Sequence, residues 1–407
     1  MINVAIMGHG VVGSGVAEIL LKDAALIENR TGEKINIKYI LDLREFKGLS
    51  YSDKFITDFS IIENDPEVKI VAEVMGGVEP AYDFVKRCLK KGKSVCTSNK
   101  ELVATKGYDL LQTAEENKVS FLFEASVGGG IPIIRPMTRC LAGNEFLEIT
   151  GILNGTTNFI LTKMIHENMS FDKALKMAQD LGYAERDPSA DVNGGDACRK
   201  ICILAALAFG KHVYPEQISC EGITEITLKD VAFANDYNCV IKLIGRAKRC
   251  DNGKITAAVY PSLISNHSQL AGVDDVNNAI MVKGSNVGEV MFYGPGAGKL
   301  PTASAVVGDI IECMLGGLLP KWADSKSEYI ADITENTVKL YVYGSCDNKA
   351  EAIKEIEDTF PHAVILKCDG ESERELAFIT DADIEKELTA KLKTLINLKT
   401  CRTMRVL

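Results

Sequence analysis

Residues Gly182 to Gly210 hold the densest set of chemically useful side chains. The run is G-Y-A-E-R-D-P-S-A-D-V-N-G-G-D-A-C-R-K-I-C-I-L-A-A-L-A-F-G, an acidic, Gly-rich turn leading into an apolar helix. At about 100° per residue, Asp196, Lys200, Ile203, Leu204 and Leu207 share one face. A lysine on an apolar stripe is a buried ion pair or a working cation. A solvated Asp196–Lys200 pair would be worth only about 0.2–0.5 kcal/mol and needs no such stripe. Glu185, Asp187 and Asp191, just upstream, add a crowd of carboxylates that a solvated pair does not require.

A second set lies at the N-terminus. The apolar run I-N-V-A-I-M precedes Gly8-His9-Gly10-Val11-Val12-Gly13, and V-A-E-I-L-L follows. This is G-x-G-x-x-G between a strand and a helix, the context in which glycines let a pyrophosphate approach the helix N-terminus. The next strand, I-N-I-K-Y-I-L, ends at Asp42-Leu43-Arg44. Asp42 would bind a ribose 2′-hydroxyl and favour NAD, and Arg44 would accept a 2′-phosphate and favour NADP. Both choices stay open.

Further strands are expected to end at Met75-Gly76-Gly77, at Ser98-Asn99-Lys100 and at Glu124–Gly130. Ligands of open α/β sheets sit at such strand ends, which puts Gly76, Gly77, Ser98 and the cation Lys100 at the cofactor crevice. The small-residue run Gly294–Ala305, with Gly296 and Gly298, again suits close backbone approach to a ligand before a helix.

The elements that must carry these groups follow from strand–helix alternation. The fold class expected is α/β, a Rossmann doubly wound parallel sheet, followed by an α+β domain and a C-terminal ferredoxin-like segment. Residues 1–130 form the dinucleotide domain, with a helix at 302–318 returning to it. Residues 131–300 form the substrate and dimerisation domain, in which Ile223–Ile226 reads as a strand. Residues 328–407 show β-α-β-β-α-β order and read as an ACT-like regulatory or dimerising module.

Composition narrows the chemistry. At 407 residues, with 46% hydrophobic and 25% charged, the chain has the make-up of a multidomain globular protein. A net charge of -10 disfavours nucleic acid and anionic membranes as partners. The longest apolar run, Ile201–Phe209, falls far short of the roughly 20 residues a bilayer span needs. The N-terminus has no basic leader, so a cytoplasmic location is expected. The 12 cysteines show no C-x-x-C and the 5 histidines no H-E-x-x-H, which argues against a metalloenzyme or a Ser-His-Asp hydrolase.

Several motifs together resemble the homoserine dehydrogenase family: G-Y-A-E-R-D-P-S-A-D-V-N-G-G-D-A-C-R-K, T-S-N-K-E-L-V-A, F-E-A-S-V-G-G-G-I-P-I-I, G-I-L-N-G-T-T-N and G-P-G-A-G-K-L-P-T-A-S-A-V. They occur in family order between Met1 and about Leu319. The resemblance implies NAD- or NADP-dependent interconversion of L-homoserine and L-aspartate 4-semialdehyde in threonine, methionine and isoleucine biosynthesis. It implies Lys200 as proton donor and Lys100 as a second lysine near the nicotinamide. Glu185, Asp191 and Asp196 would hold the amino acid end, flanked by Thr156 and Tyr183. It also implies a sodium ion on main-chain oxygens around Glu124, Val127, Gly129 and Ile131, and a homodimer or homotetramer. Ser345-Cys346-Asp347-Asn348 replaces the D-x-P-G turn of many ACT modules, which puts threonine feedback in doubt. Two other readings stay open. An aspartate-semialdehyde dehydrogenase-like enzyme would need an activated cysteine beside a base. A non-catalytic dinucleotide sensor would need only the first domain.

Overall fold

The computed structural model describes the chain except for residues 318–319 and 326–328. It divides into two compact units that interleave along the sequence. The first holds Met1–Ile149, Cys202–Gln217 and a stretch beginning at Ile280. The second holds Thr150–Ile201, Ile218–Ala279 and the C-terminal segment ending at Leu407. The sequence led to an expectation of three successive domains. Residues 131–149 stay with the dinucleotide unit, and the helix Gly195–Phe209 starts in one unit and ends in the other. A long helix can pass the chain between cores, and hydropathy marks no such crossing. The expected end of the returning helix, residue 318, and the expected start of the last domain, residue 328, lie outside the described residues.

The first unit is built on a six-stranded sheet. Its strands are β1 (Ile2–Met7), β2 (Ile35–Leu41), β3 (Phe55–Ile56), β4 (Val68–Glu73), β5 (Ser94–Thr97) and β6 (Phe121–Leu122), in the order β3-β2-β1-β4-β5-β6. All neighbours pair in parallel, and the strand order reverses beside β1, where doubly wound sheets bind ligands. The buried face of β1 and β2 packs with Val16, Ala17 and Leu20 of the helix Val11–Lys22 and with Ala303, Val306 and Ile310 of the helix Lys299–Met314. A Cβ on Gly15 would lie 2.9 Å from the Cβ of Ala303, so these two helices need a glycine at their contact.

The strand β7 (Phe146–Ile152) leads into the second unit. There β8 (Ser219–Cys220), β9 (Cys239–Arg249) and β10 (Ile255–Ser265) form, with β9 and β10 antiparallel over their full length. Ile223–Ile226, expected as a strand, is a turn in which Ile226 N–H donates to Ile223 O at 3.1 Å. Its two isoleucines are buried, 0% and 3% exposed, so apolar character came from burial without pairing. β11 (Asn277–Gly284) and β12 (Gly288–Pro295) are neighbours joined by a three-residue loop, which makes them a hairpin.

The C-terminal strands are β13 (Thr337–Ser345), β14 (Val364–Leu366), β15 (Glu375–Ile379), β16 (Asp383–Ile384) and β17 (Lys399–Val406). The order β17-β13-β15-β14, antiparallel throughout, is the ferredoxin-like arrangement. β16 pairs with the start of β13, which delays the last helix to Glu385–Leu392. β17 also pairs in parallel with β10, at Ser262–Arg405 and Leu263–Val406. The C-terminal segment thus continues the sheet of the second unit. Arg402 and Tyr341 also reach Asp230, which is 0% exposed.

Candidate active site

In the first unit the glycine loop leaves β1 with Gly8 at φ +98° and its N–H on Leu41 O at 2.8 Å. A Cβ on Gly13 would sit 2.0 Å from the Gly8 carbonyl oxygen. That contact forces glycine and lays the helix start on the turn. A Cβ on Gly10 would meet nothing within 4 Å, so the outer side of the loop is open. Gly10 makes no side-chain cap to the helix, and Val11 is exposed. Uncapped N–H groups at a 12-residue helix start fit a pyrophosphate. The His9 ring sits among Phe46, Tyr51 and Phe55.

The next two strand ends are braced together. Glu73, 0% exposed at the end of β4, accepts Thr97 Oγ1 at 2.5 Å and Met75 N–H at 2.8 Å. Burial raises its pKa, and those hydrogen bonds oppose the rise. Asn99 caps the helix Lys100–Glu116 through Leu102 N–H at 3.1 Å and donates to Gly77 O at 2.6 Å. Gly76 and Gly77 take φ of +86° and +73°. Ser98 and Lys100, half-buried, flank Asn99 and so share this brace with the Gly76–Gly77 turn.

The Glu124 side chain, 2% exposed, is engaged by backbone. It accepts N–H groups of Ile133, Ile134 and Arg135 at 2.6, 2.8 and 2.8 Å and Arg135 Nε at 3.2 Å. Its own N–H donates to Asp309 at 2.8 Å. Burial pushes the Asp309 carboxyl up to about 8, against the pull of Arg135. The turn carrying Val127, Gly129 and Ile131 closes through Ile131 N–H on Gly128 O at 2.9 Å. A Cβ on Gly129 would lie 2.3 Å from Gly296 O, and Gly130 N–H reaches Pro295 O at 3.2 Å. Gly296 therefore lies on this turn, and Gly298 is the N-cap of the helix Lys299–Met314. No group of three or more His, Cys, Asp or Glu among the described residues could hold a metal ion.

In the second unit Lys200 is 7% exposed. Its ammonium pairs with Asp196 at 2.8 Å and donates to Leu153 O at 2.7 Å. Asn154 Nδ2 donates to Asp196 at 2.9 Å and to Asp191 at 2.7 Å. The same side chain caps the helix Gly155–Glu167, its Oδ1 accepting Thr157 N–H at 2.8 Å. Thr156 Oγ1 donates to Tyr183 O at 2.7 Å and fixes the acidic turn. Tyr183 is 44% exposed, Glu185 is exposed and Asp191 is half-buried. Asp187 accepts Ser189 N–H and Oγ and serves as a turn cap. An ammonium held by a carboxylate and a carbonyl, beside two carboxylates joined by an amide, can protonate an oxyanion and bind a cationic group.

A family model described as homoserine dehydrogenase matches residues 132–311, and one described as its NAD binding domain matches residues 8–124. The homoserine dehydrogenase of Bacillus subtilis is 43% identical over 77% of this chain and 73% of its own length. That of Helicobacter pylori is 45% identical over 76% and 73%. The chain belongs to the homoserine dehydrogenase family. The structure of a homoserine dehydrogenase from Thiobacillus denitrificans is similar over 100% of this chain and 98% of that one, with a TM-score of 0.90 and 33% identity. A hyperthermophilic archaeal homoserine dehydrogenase in complex with NADPH covers 79% of this chain and 99% of its own, with a TM-score of 0.68 and 31% identity.

As a homoserine dehydrogenase the chain is an NAD(P)-dependent oxidoreductase with a small-molecule substrate. Both alternative readings fall away. No helix among the described residues is long and apolar enough to cross a membrane. Sequence reading missed Asn154, Glu73 and Asn99. Asn154 stood in the motif G-I-L-N-G-T-T-N, and its N-x-x-T spacing marked a helix cap. The two carboxylates it joins lie 37 and 42 residues away and left no local signal.

Proposed function

We propose that this homoserine dehydrogenase reduces L-aspartate 4-semialdehyde to L-homoserine, and runs the reverse, with Lys200 as the general acid. The observation that carries this is the Lys200 ammonium, nearly buried and fixed by Asp196 and Leu153 O. A bound NAD(P)H supplies the hydride to the aldehyde carbon. As negative charge grows on the carbonyl oxygen, Lys200 stabilises it and gives it a proton, which solvent restores. Asp191, Asp196 and Glu185 anchor the substrate's α-ammonium. Thr156 and Tyr183 shape the turn that closes over it, and Lys100 serves as the second cation of the reaction.

Gly8–Gly13, Gly76, Gly77, Ser98, Gly296 and Gly298 hold the nucleotide, and Asp42 and Arg44 its adenosine ribose. Main-chain oxygens around Glu124, Val127, Gly129 and Ile131 take a sodium ion, supported by the tight closure of that turn. The active species is a homodimer or homotetramer in the cytoplasm. Met291 and Tyr293 of β12, 40% and 55% exposed, support a subunit contact there. The ferredoxin-like segment is an ACT-like regulatory or dimerising module, and its shared sheet with β10 supports communication with the substrate elements.

The test is nicotinamide absorbance with homoserine and NAD or NADP, for the native chain and Lys200→Ala. Absorbance gain in the native chain and its near-loss in the variant, with nucleotide binding kept, is expected. Normal turnover in the variant would remove Lys200 from its role.

A further inference from the structure

The two carboxylates that Asn154 joins, Asp191 and Asp196, lie on either side of Val192–Gly194. That short stretch is held from behind by Cys220–Ile223. Ile223 N–H donates to Val192 O at 2.9 Å, and Cys220 Sγ donates to Asn193 O at 3.3 Å. A Cβ on Gly222 would lie 2.2 Å from Val192 O and 2.6 Å from Asn193 Cα. One on Gly194, which takes φ +83°, would lie 2.9 Å from Cys220 Sγ. The two stretches therefore meet backbone to backbone, with no side chain between them to absorb a shift. A displacement of Cys220–Ile223 carries Val192–Gly194 with it.

Glu221 stands in the middle of the holding stretch. Its N–H donates to Val259 O of β10 at 2.8 Å, and its carboxylate accepts Arg405 Nη1 at 2.9 Å. Arg405 belongs to β17 of the ferredoxin-like segment. Its side chain is 8% exposed, and its guanidinium lies over the Tyr260 ring at 4.3 Å. Nε and Nη2 grip the Glu385 carboxylate at 2.8 and 2.7 Å, at the start of the helix Glu385–Leu392. Arginine is rarely buried without partners, and its planar fork can orient two carboxylates at once, where the point charge of a lysine cannot. One side chain thus ties that helix to Glu221. Arg405 lies 184 residues from Glu221 in sequence.

We propose that Arg405, acting through Glu221, is a positioning residue for the substrate: through this pair the C-terminal segment sets the spacing of Asp191 and Asp196, and with it the affinity for the substrate's α-ammonium. The proposal rests on the reading of those carboxylates as the ammonium anchor. Misplacement of a binding group by about 1 Å is enough to be felt strongly at the site.

Steady-state kinetics of the full chain with homoserine, at saturating nucleotide, tests this. Glu221 is 44% exposed, so its side chain can be removed without opening a core. Glu221→Ala should raise the KM for homoserine roughly threefold to thirtyfold, the range of coupling through intervening residues. Its kcat and nucleotide KM should stay close to native. Glu221→Gln keeps an acceptor for Arg405 and should recover part of the affinity. Arg405→Lys should raise the same KM, and combining it with Glu221→Ala should add nothing to the larger single effect. Amide hydrogen exchange of Val192–Gly194 should quicken in Glu221→Ala, while that of β1 and β2 stays native. An unchanged homoserine KM in Glu221→Ala, an equal rise in the nucleotide KM, or additive effects in the double variant overturns the proposal. If Arg405→Lys fails to fold, the two Glu221 variants decide alone. A native chain that turns over no homoserine defeats the dehydrogenase reading, and unchanged exchange in Glu221→Ala defeats the positioning role whether or not there is turnover.

Discussion

Lys200 and Lys242 are both buried cations of the second unit, 7% and 0% exposed. Lys242 lies inside β9 and donates to Val273 O at 2.6 Å, Asp274 Oδ1 at 3.1 Å and Asn158 Oδ1 at 3.3 Å. Asn158 in turn donates to the carbonyls of Val273, Asp275 and Asn277. Burial lowers the Lys242 pKa, and Asp274 opposes that. The knot fastens the loop before β11 to the helix Gly155–Glu167 and leaves no access for a substrate. Lys200 sits at the start of its helix, next to an acidic turn with an exposed side. Burial of a lysine therefore does not mark function. What its neighbours leave accessible does.

The largest effect expected from this contrast is on turnover. Lys200→Ala should lower kcat by roughly 10²–10⁴-fold, the usual weight of a general acid, as read by steady-state rates at saturating nucleotide. Lys242→Met should leave the kcat of folded enzyme close to native. It should lower stability by roughly 2–4 kcal/mol, because buried acceptors lose their donor. Urea unfolding measures this, and a Lys242→Met enzyme that is stable but inactive would undo the distinction.

A smaller effect belongs to Asn154. Asn154→Asp keeps an oxygen for the helix cap and replaces the amide donor between Asp191 and Asp196 with a third acceptor. KM for homoserine should rise, and stability should fall by roughly 1–3 kcal/mol, because Asp191 and Asp196 lose their donor and gain a like-charged neighbour. An unchanged KM would make Asn154 a cap alone.

The smallest extends the comparison to a buried acid of the first unit. The Asp309 carboxyl lies at about 8 when folded, against an ordinary 3.8. Between those values the folded chain keeps a proton that the unfolded chain has lost. Stability should therefore fall as pH rises toward 8, by up to about 1.4 kcal/mol per pH unit for this group, and level off above it. Asp309→Asn mimics the protonated form and should flatten the slope of urea midpoints between pH 6 and 8. Parallel slopes in the two proteins would show that Asp309 is ionised when folded.

Much of the framework was legible before any coordinates. Glycine spacing between a strand and a helix marked the nucleotide loop, and alternation marked the parallel sheet. The β-α-β-β-α-β order gave the ferredoxin-like strand order. Lys200 stood out because helical period placed it with Asp196 on an apolar stripe. Ile223–Ile226 was misread because apolar residues look alike whether they pair or merely pack. The interleaving of the units was not legible because a helix shared by two cores shows one continuous hydrophobic pattern.

By itself the sequence determined residue types, local spacing and element order, since φ preferences and hydropathic period act within a few residues. It therefore settled the glycine cradle and the Asp196–Lys200 pair one helical turn apart. Tertiary structure decided what each polar group is satisfied by. Asn154 joins two distant carboxylates, Lys242 is held by Val273 O, Asp274 and Asn158, and Asp42 accepts from His9 and Arg44. Whether a buried charge works or merely holds depends on such partners, and only the folded chain brings them within hydrogen-bond distance.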